Sequence, residues 1–321
     1  AGGDLSAPPG LDVSEFQVPV RGGAQSVRLR RLIGGASRDQ PMDLPRLRPA
    51  VLLLHDGPGL ANAASLLEPL AWRLCREGCT CFLYDQLTRG MPNRTSMRAN
   101  VGDAQDVARF MYERLGEFEM HAVGHGYGGV VIMEALLRAG IWEDTARGFL
   151  SALEGGQTPR LRSVSLLGTP SSTGVLRSEA LRLFRAALKD SQRDEGAAER
   201  EFWERHFSSG SSLVAEAYMR AAWKPWEDFP LRGWEISRHE MESRYAAASS
   251  GAPLLCVRGE SDFVTDACVD GWRGVDCPRF RGLFTEHVVV GCGHNAQLQQ
   301  PDLFAGVLHE WLCAVEAVAV E

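Results

Sequence analysis

Three short stretches carry residue types that perform acyl transfer when a fold brings them together. The first is "AVGHGYGGVV", residues 122 to 131, a glycine-rich turn between two apolar runs. Gly124 to Gly128 has the Gly-x-x-x-Gly spacing of a nucleophile elbow, Gly-x-Ser-x-Gly, in which a strained turn exposes a serine hydroxyl. The central position is Gly126, which has no side chain and no attacking oxygen. The second stretch holds Asp262 in "GESDFVTD", and the third holds His294 in "GCGHN". An imidazole near neutral pKa can take and return a proton. A carboxylate can orient that imidazole and stabilise its charged form. Two backbone N–H groups would serve a developing oxyanion. One is that of Tyr127, next after the nucleophile position. The other lies in the loop His55-Asp56-Gly57-Pro58-Gly59, with Gly57 central. A carboxylate at Asp56 would repel such an oxyanion.

These residues need elements that converge. "AVLLLHDGPG", "CTCFLYDQ", "MHAVGHGYGG", "LRSVSLLGTP", "PLLCVRGESD" and "EHVVVGCGHN" each read as a buried strand running into a loop. Helical patterns separate them: "LLEPLAWRLCREG" with Gly78 as its C-cap, "NVGDAQDVARFMYERLG", "VVIMEALLRAG", and Pro301 to about Ala317. Alternating strands and helices predict an α/β fold, a mostly parallel sheet covered by helices on both faces. In such sheets ligands bind at the carboxyl ends of the strands, where the elbow, Asp262 and His294 all fall. Ser14 to Ile33 reads as a strand pair, and residues 1–12 as a loose arm. Residues 171–250 break the rhythm with a helix-like stretch rich in Arg, Glu and Trp, read as a helical cap inserted between core segments 1–170 and 251–321. A dinucleotide loop would need the glycine string after the first strand of its unit, not several strands in.

The bulk numbers bound the rest. The 321 residues are 45% hydrophobic and 23% charged, ample for a core. A net charge of -7 argues against a nucleic-acid partner. No run approaches the ~20 apolar residues of a membrane span. Cys75, Cys79 and Cys81 lack a usual zinc spacing, so no metal is expected. No phosphate loop or flavin signature competes, and no cofactor is implied. Most of the eight cysteines sit in apolar runs and read as reduced thiols, which favours a reducing compartment, cytoplasm or organelle interior. The first residues, AGGDLSAPPG, read as a processed or trimmed chain from which a transit peptide would already be gone.

Beyond these residues the chain resembles the prolyl aminopeptidase (proline iminopeptidase) family of α/β-hydrolases. "HDGPG" is similar to that family's HGGPG loop, "YDQLTRGMPN" to its Asp-Gln segment, and "GHGYGG" to its Gly-x-Ser-Trp-Gly-Gly elbow. "GESDFVTD" and "GCGHNAQLQQPDLF" resemble its acid and histidine loops, and "EFWERHF" a cap helix. "KPWEDF" resembles a cap segment that receives the substrate's free amino group, which implies Glu227 in that role, with Trp226 and His55 beside the substrate. The resemblance spans Phe16 to Trp311 and implies an α/β-hydrolase fold acting on an N-terminal residue, a small amide or an ester. Four departures stand out: Gly126 for serine, Asp56 for glycine, Tyr127 for tryptophan, and no Arg-Gly-x-Gly run after Gln86.

Three readings follow. The chain is a serine hydrolase stripped of its nucleophile, inactive in the acyl-enzyme sense. Alternatively, Gly126 is native and the chain is a pseudoenzyme binding a small molecule, a short peptide or a protein partner. In the third, His294 and Asp262 act as a general base for lyase or cofactor-free oxygenase chemistry. His121 and His125 read as packing residues, and Trp203, Trp223, Trp226 and Trp234 either line a pocket or form core.

Overall fold

The computed structural model describes residues 10–34, 49–57, 63–87, 94–138, 160–192, 194–207, 224–226, 231–248, 252–275 and 284–318. Eight strands form one sheet in the order β1-β2-β4-β3-β5-β6-β7-β8. They are β1 (Leu11–Val20), β2 (Gln25–Gly34), β3 (Ala50–Leu54), β4 (Thr80–Tyr84), β5 (Glu119–His125), β6 (Arg160–Leu167), β7 (Leu254–Gly259) and β8 (Phe284–Val289). β1 pairs antiparallel with β2, and β2 antiparallel with β4. Every other pairing is parallel. Leu11 and Asp12, expected within a loose arm, instead belong to β1 and pair with Gly34 and Ile33; the arm's residues 1–9 lie outside the described residues.

The central strands are apolar on both faces, and alternate residues divide between two cores. Leu52, Leu54, Phe82, Tyr84 and Ala122 face one core, with α2 (Arg94–Leu115) and α3 (Tyr127–Arg138). Val51, Leu53, Cys81, Leu83 and Val123 face the other, with α1 (Glu68–Arg76) and α7 (Pro301–Val318). Here α1 runs out at Arg76, and Gly78 turns the chain with φ +97°. α2 begins at Arg94, earlier than its apolar pattern suggests. Between β6 and β7 lie α4 (Thr173–Asp190), α5 (Glu195–His206) and α6 (Arg238–Ala248). Phe202, Trp203, Trp226, Trp234 and Met241 from this stretch join the first core.

Register brings the strand ends into line. Leu54 sits opposite Gly124, Leu167 opposite both His125 and Val257, and Gly259 opposite Val289. The loops carrying Asp56, Gly126, Asp262 and His294 therefore leave the sheet along one edge. No described helix is long and apolar enough to cross a membrane.

The elbow demands close backbone approach. A Cβ on Gly124 would strike the Gly129 backbone, and one on Gly128 would strike the Leu54 carbonyl. Neither obstacle can swing aside as a side chain could. Gly128→Ala should therefore destabilise the chain by about 2–3 kcal/mol through forced displacement of α3 from β3. Urea unfolding checks this, and a midpoint equal to the parent's would refute it.

Candidate active site

β5 ends at His125 and α3 begins at Tyr127, so Gly126 alone makes the turn. Its φ is +50°, a left-handed conformation that costs an L side chain about 1–2 kcal/mol. The Gly126 N–H donates to the Leu167 carbonyl at 2.8 Å, and Val130 N–H donates back to the Gly126 carbonyl at 3.3 Å. The turn from β5 into α3 thus takes place on a single left-handed glycine.

Asp56 fills the space beside Gly126. Its Oδ1 accepts the Tyr127 N–H at 2.7 Å, and its Oδ2 lies 3.2 Å from His294 Nε2. A Cβ added at Gly126 would land on the Asp56 carboxylate. This corrects the oxyanion-hole expectation: the Tyr127 N–H does not await an oxyanion, because Asp56 already takes it. Gly57, the next residue, also has positive φ, +67°.

His294 stands between two carboxylates. Its Nδ1 is 3.0 Å from Asp262 Oδ1, which also accepts the Val264 N–H at 2.8 Å. Asp262 Oδ2 is buried and makes no hydrogen bond among the described residues. The histidine loop is tied to the end of α5: His294 N–H donates to the His206 carbonyl at 2.8 Å, and Asn295 N–H to that of Phe207 at 3.2 Å. The Phe263 and Phe207 rings lie 4.5 and 5.3 Å from the His294 ring. Asp56, Asp262 and His294 are all buried.

Burial disfavours charge on His294, but Asp262 and Asp56 outweigh it and push its pKa up from 6.5 to about 10. At neutral pH it is an imidazolium donating to both carboxylates. Burial likewise opposes ionisation of Asp56, yet its bond to His294, that cation's charge and the Tyr127 N–H hold its pKa well below the carboxylate range. His125, ring to ring with His294 at 4.7 Å, is pushed down to about 4 by burial and by the neighbouring imidazolium. It is neutral, and its Nε2–H faces the His294 carbonyl at 3.1 Å. The three central groups thus sum to one negative charge, two carboxylates against one cation.

A belt of hydrogen bonds fixes Asp56. His55 Nδ1–H donates to the Asp56 carbonyl at 2.7 Å, and Gln86 N–H donates to His55 Nε2 at 3.0 Å. Asn100 Nδ2 lies 3.3 Å from both Gln86 Oε1 and Tyr127 Oη. Tyr127 N–H then closes the belt on Asp56. His55, expected beside a substrate, is buried with both ring nitrogens committed and acts as a strut for the Asp56 loop. Gln86 and Asn100 were not among the expected site residues. Gln86 had a signal in its place right after a buried strand; Asn100, mid-helix, had none.

Trp226, the other residue expected beside a substrate, packs among aromatic rings. It is 4% exposed, stacked at 4.4 Å on Phe184 and edge-on to Phe202 at 4.5 Å, inside the aromatic core between α4 and α5. Glu227 lies outside the described residues. His121 sits away from the site, 2.8 Å from Ser163 Oγ and 3.1 Å from Glu316. Among the described residues no cysteine is in a disulfide: Cys75, Cys79, Cys81, Cys256, Cys268 and Cys292 are buried and Cys313 is exposed. Among the described residues no three His, Cys, Asp or Glu side chains are grouped to hold a metal.

Residues 51–307 match the alpha/beta hydrolase family. Among solved structures, the chain is similar to a proline iminopeptidase from Mycobacterium smegmatis at 20% identity and TM-score 0.65, covering 95% of this chain and 100% of that one. It is similar to VinJ at 19% identity and TM-score 0.63, covering 94% and 99%. A naproxen esterase (carboxylesterase NP) from Bacillus subtilis gives 15% identity and TM-score 0.56, covering 94% and 92%. At such identities the likeness shows the fold alone. No curated protein sequence matches.

The charge arrangement predicts a pH dependence. His294 binds its proton more tightly folded than unfolded, so its contribution to stability is complete below pH 6.5 and disappears as pH rises to about 10. Asp56 acts oppositely, adding stability that is lost as acid protonates it. Urea unfolding across pH 6 to 10 should show declining stability, and Asp56→Asn should lower it by about 2 kcal/mol at neutral pH and reduce the slope. An unchanged slope in that variant would contradict the ion pair.

Proposed function

The chain belongs to the alpha/beta hydrolase family, and from that premise we propose that it is a member that binds through its cleft and does not run a serine acyl-enzyme cycle. One observation carries this reading: the Asp56 carboxylate on the Tyr127 N–H, in the space a side chain at 126 would need. Acyl transfer by this route requires an attacking oxygen, a neutral imidazole and free oxyanion donors. Position 126 lacks the oxygen, His294 carries a proton, and the Tyr127 donor is taken.

The same observation favours a native loss over a stripped enzyme. Replacing serine by glycine in an otherwise intact hydrolase would leave the neighbouring loop as it was. Here the loop departs as well: Asp56 stands where the resembling family has glycine, and it claims the volume that a side chain at 126 would need. The general-base reading fares worst, since an imidazolium held between two carboxylates is a poor base at neutral pH. Several structural neighbours are named for amide or ester hydrolysis. We therefore assign the cleft a small-molecule or short-peptide ligand, with a protein partner as the variant of the same pseudoenzyme reading. In this account residues 171–250 cap core segments 1–170 and 251–321, and Glu227 receives a ligand amino group.

A fluorophosphonate probe tests it. The parent chain and Gly126→Ser alone should both stay unlabelled, the latter because the new side chain collides with Asp56. Gly126→Ser combined with Asp56→Gly should gain labelling at position 126. Stoichiometric labelling of the parent would sink the proposal, and labelling of the single variant equal to the double would sink the steric coupling.

A further inference from the structure

We propose that the point bounded by the Tyr127 N–H, His294 Nε2–H and the bare Cα of Gly126 is a carboxylate-binding site, filled in this chain by its own Asp56. The inference rests on the reading above that no acyl-enzyme chemistry uses these donors. It goes further by giving the site a ligand class and an internal occupant.

Two donors converge on one carboxylate from different elements. Tyr127 N–H is the first amide of α3 and reaches Oδ1 at 2.7 Å; His294 Nε2 reaches Oδ2 at 3.2 Å. One oxygen for each donor is the geometry that suits a planar carboxylate. The helix start adds partial positive charge, and His294 adds a full one. The missing Cβ at Gly126 leaves the volume the carboxylate occupies. The Phe207 and Phe263 rings pack beside His294, and both His294 and Asp56 are buried, a setting in which solvent screens the pair less than at the surface.

The occupant is held by its own backbone. His55 and Gln86 fix the loop, so Asp56 meets these donors at a high effective concentration that free anions do not match. The parent protein should ignore small carboxylates for that reason. Shortening the side chain should vacate the site while leaving Tyr127 N–H and the His294–Asp262 pair in place. Formate or acetate fits the vacated volume, and chloride lacks the second acceptor atom.

Thermal unfolding of Asp56→Ala in sodium formate, against sodium chloride of equal ionic strength, tests this. The variant's Tm should rise steadily with the logarithm of formate concentration, by mass action on a folded-state site. The parent should respond equally to both salts, and so should Asp56→Asn, whose amide fills the space. If Asp56→Ala does not fold, Asp56→Gly, which restores the glycine of the resembling family's loop, takes its place in the same titration. Equal responses to formate and chloride in the folded, shortened variant would overturn the proposal, as would a formate effect of the same size in the parent. Either result leaves the absence of acyl-enzyme chemistry standing, since that depends on probe labelling alone.

Discussion

A buried carboxylate cannot stand alone in a protein interior. Asp56 is ionised, buried and wedged against a glycine, and it survives there because His294 and the Tyr127 N–H meet its two oxygens. The rest of the site follows from that need. His294 must remain a cation to match Asp56, and it can remain one only because Asp262 holds its other nitrogen. Gly126 must remain a glycine because the carboxylate fills the space beside it. The arrangement keeps a proton in place between two carboxylates.

The scaffold makes this possible without distortion. The elbow, the acid loop and the histidine loop leave the parallel strands β5, β7 and β8 at one edge of the sheet, with β6 between the first two. The Asp56 loop leaves β3, which pairs with β5 beneath the elbow. Asp56 therefore reaches the space beside Gly126 across a short gap between adjacent strand ends. α5 then seals the arrangement by accepting the His294 and Asn295 amides on its last carbonyls.

Much of the architecture is legible in the sequence because it depends on local pattern. The apolar five-residue runs of β3 and β4, and the glycines after β5, each announce themselves within ten residues. The positions of Asp262 and His294 follow from the same logic, as residues just beyond buried strands. The part played by Asp56 does not. Its sequence position suggests a repelled oxyanion, whereas its partners lie 71 and 238 residues away. The orientations of His55 and Trp226 are hidden for a related reason: a motif marks a neighbourhood, not the direction of a side chain. His55 turns toward the backbone of Gln86, and Trp226 turns into an aromatic core. Asn100 is invisible in sequence because only the tertiary fold puts mid-helix α2 beside the elbow tyrosine.

The account stands or falls on the charge state of His294. Nitrogen-15 correlation spectra of the ring, with His294→Gln for assignment, report it directly. Both ring nitrogens should remain protonated at pH 8, because Asp56 and Asp262 together hold the proton to about pH 10. A neutral His294 ring at pH 8, titrating near the ordinary value of 6.5, would contradict it.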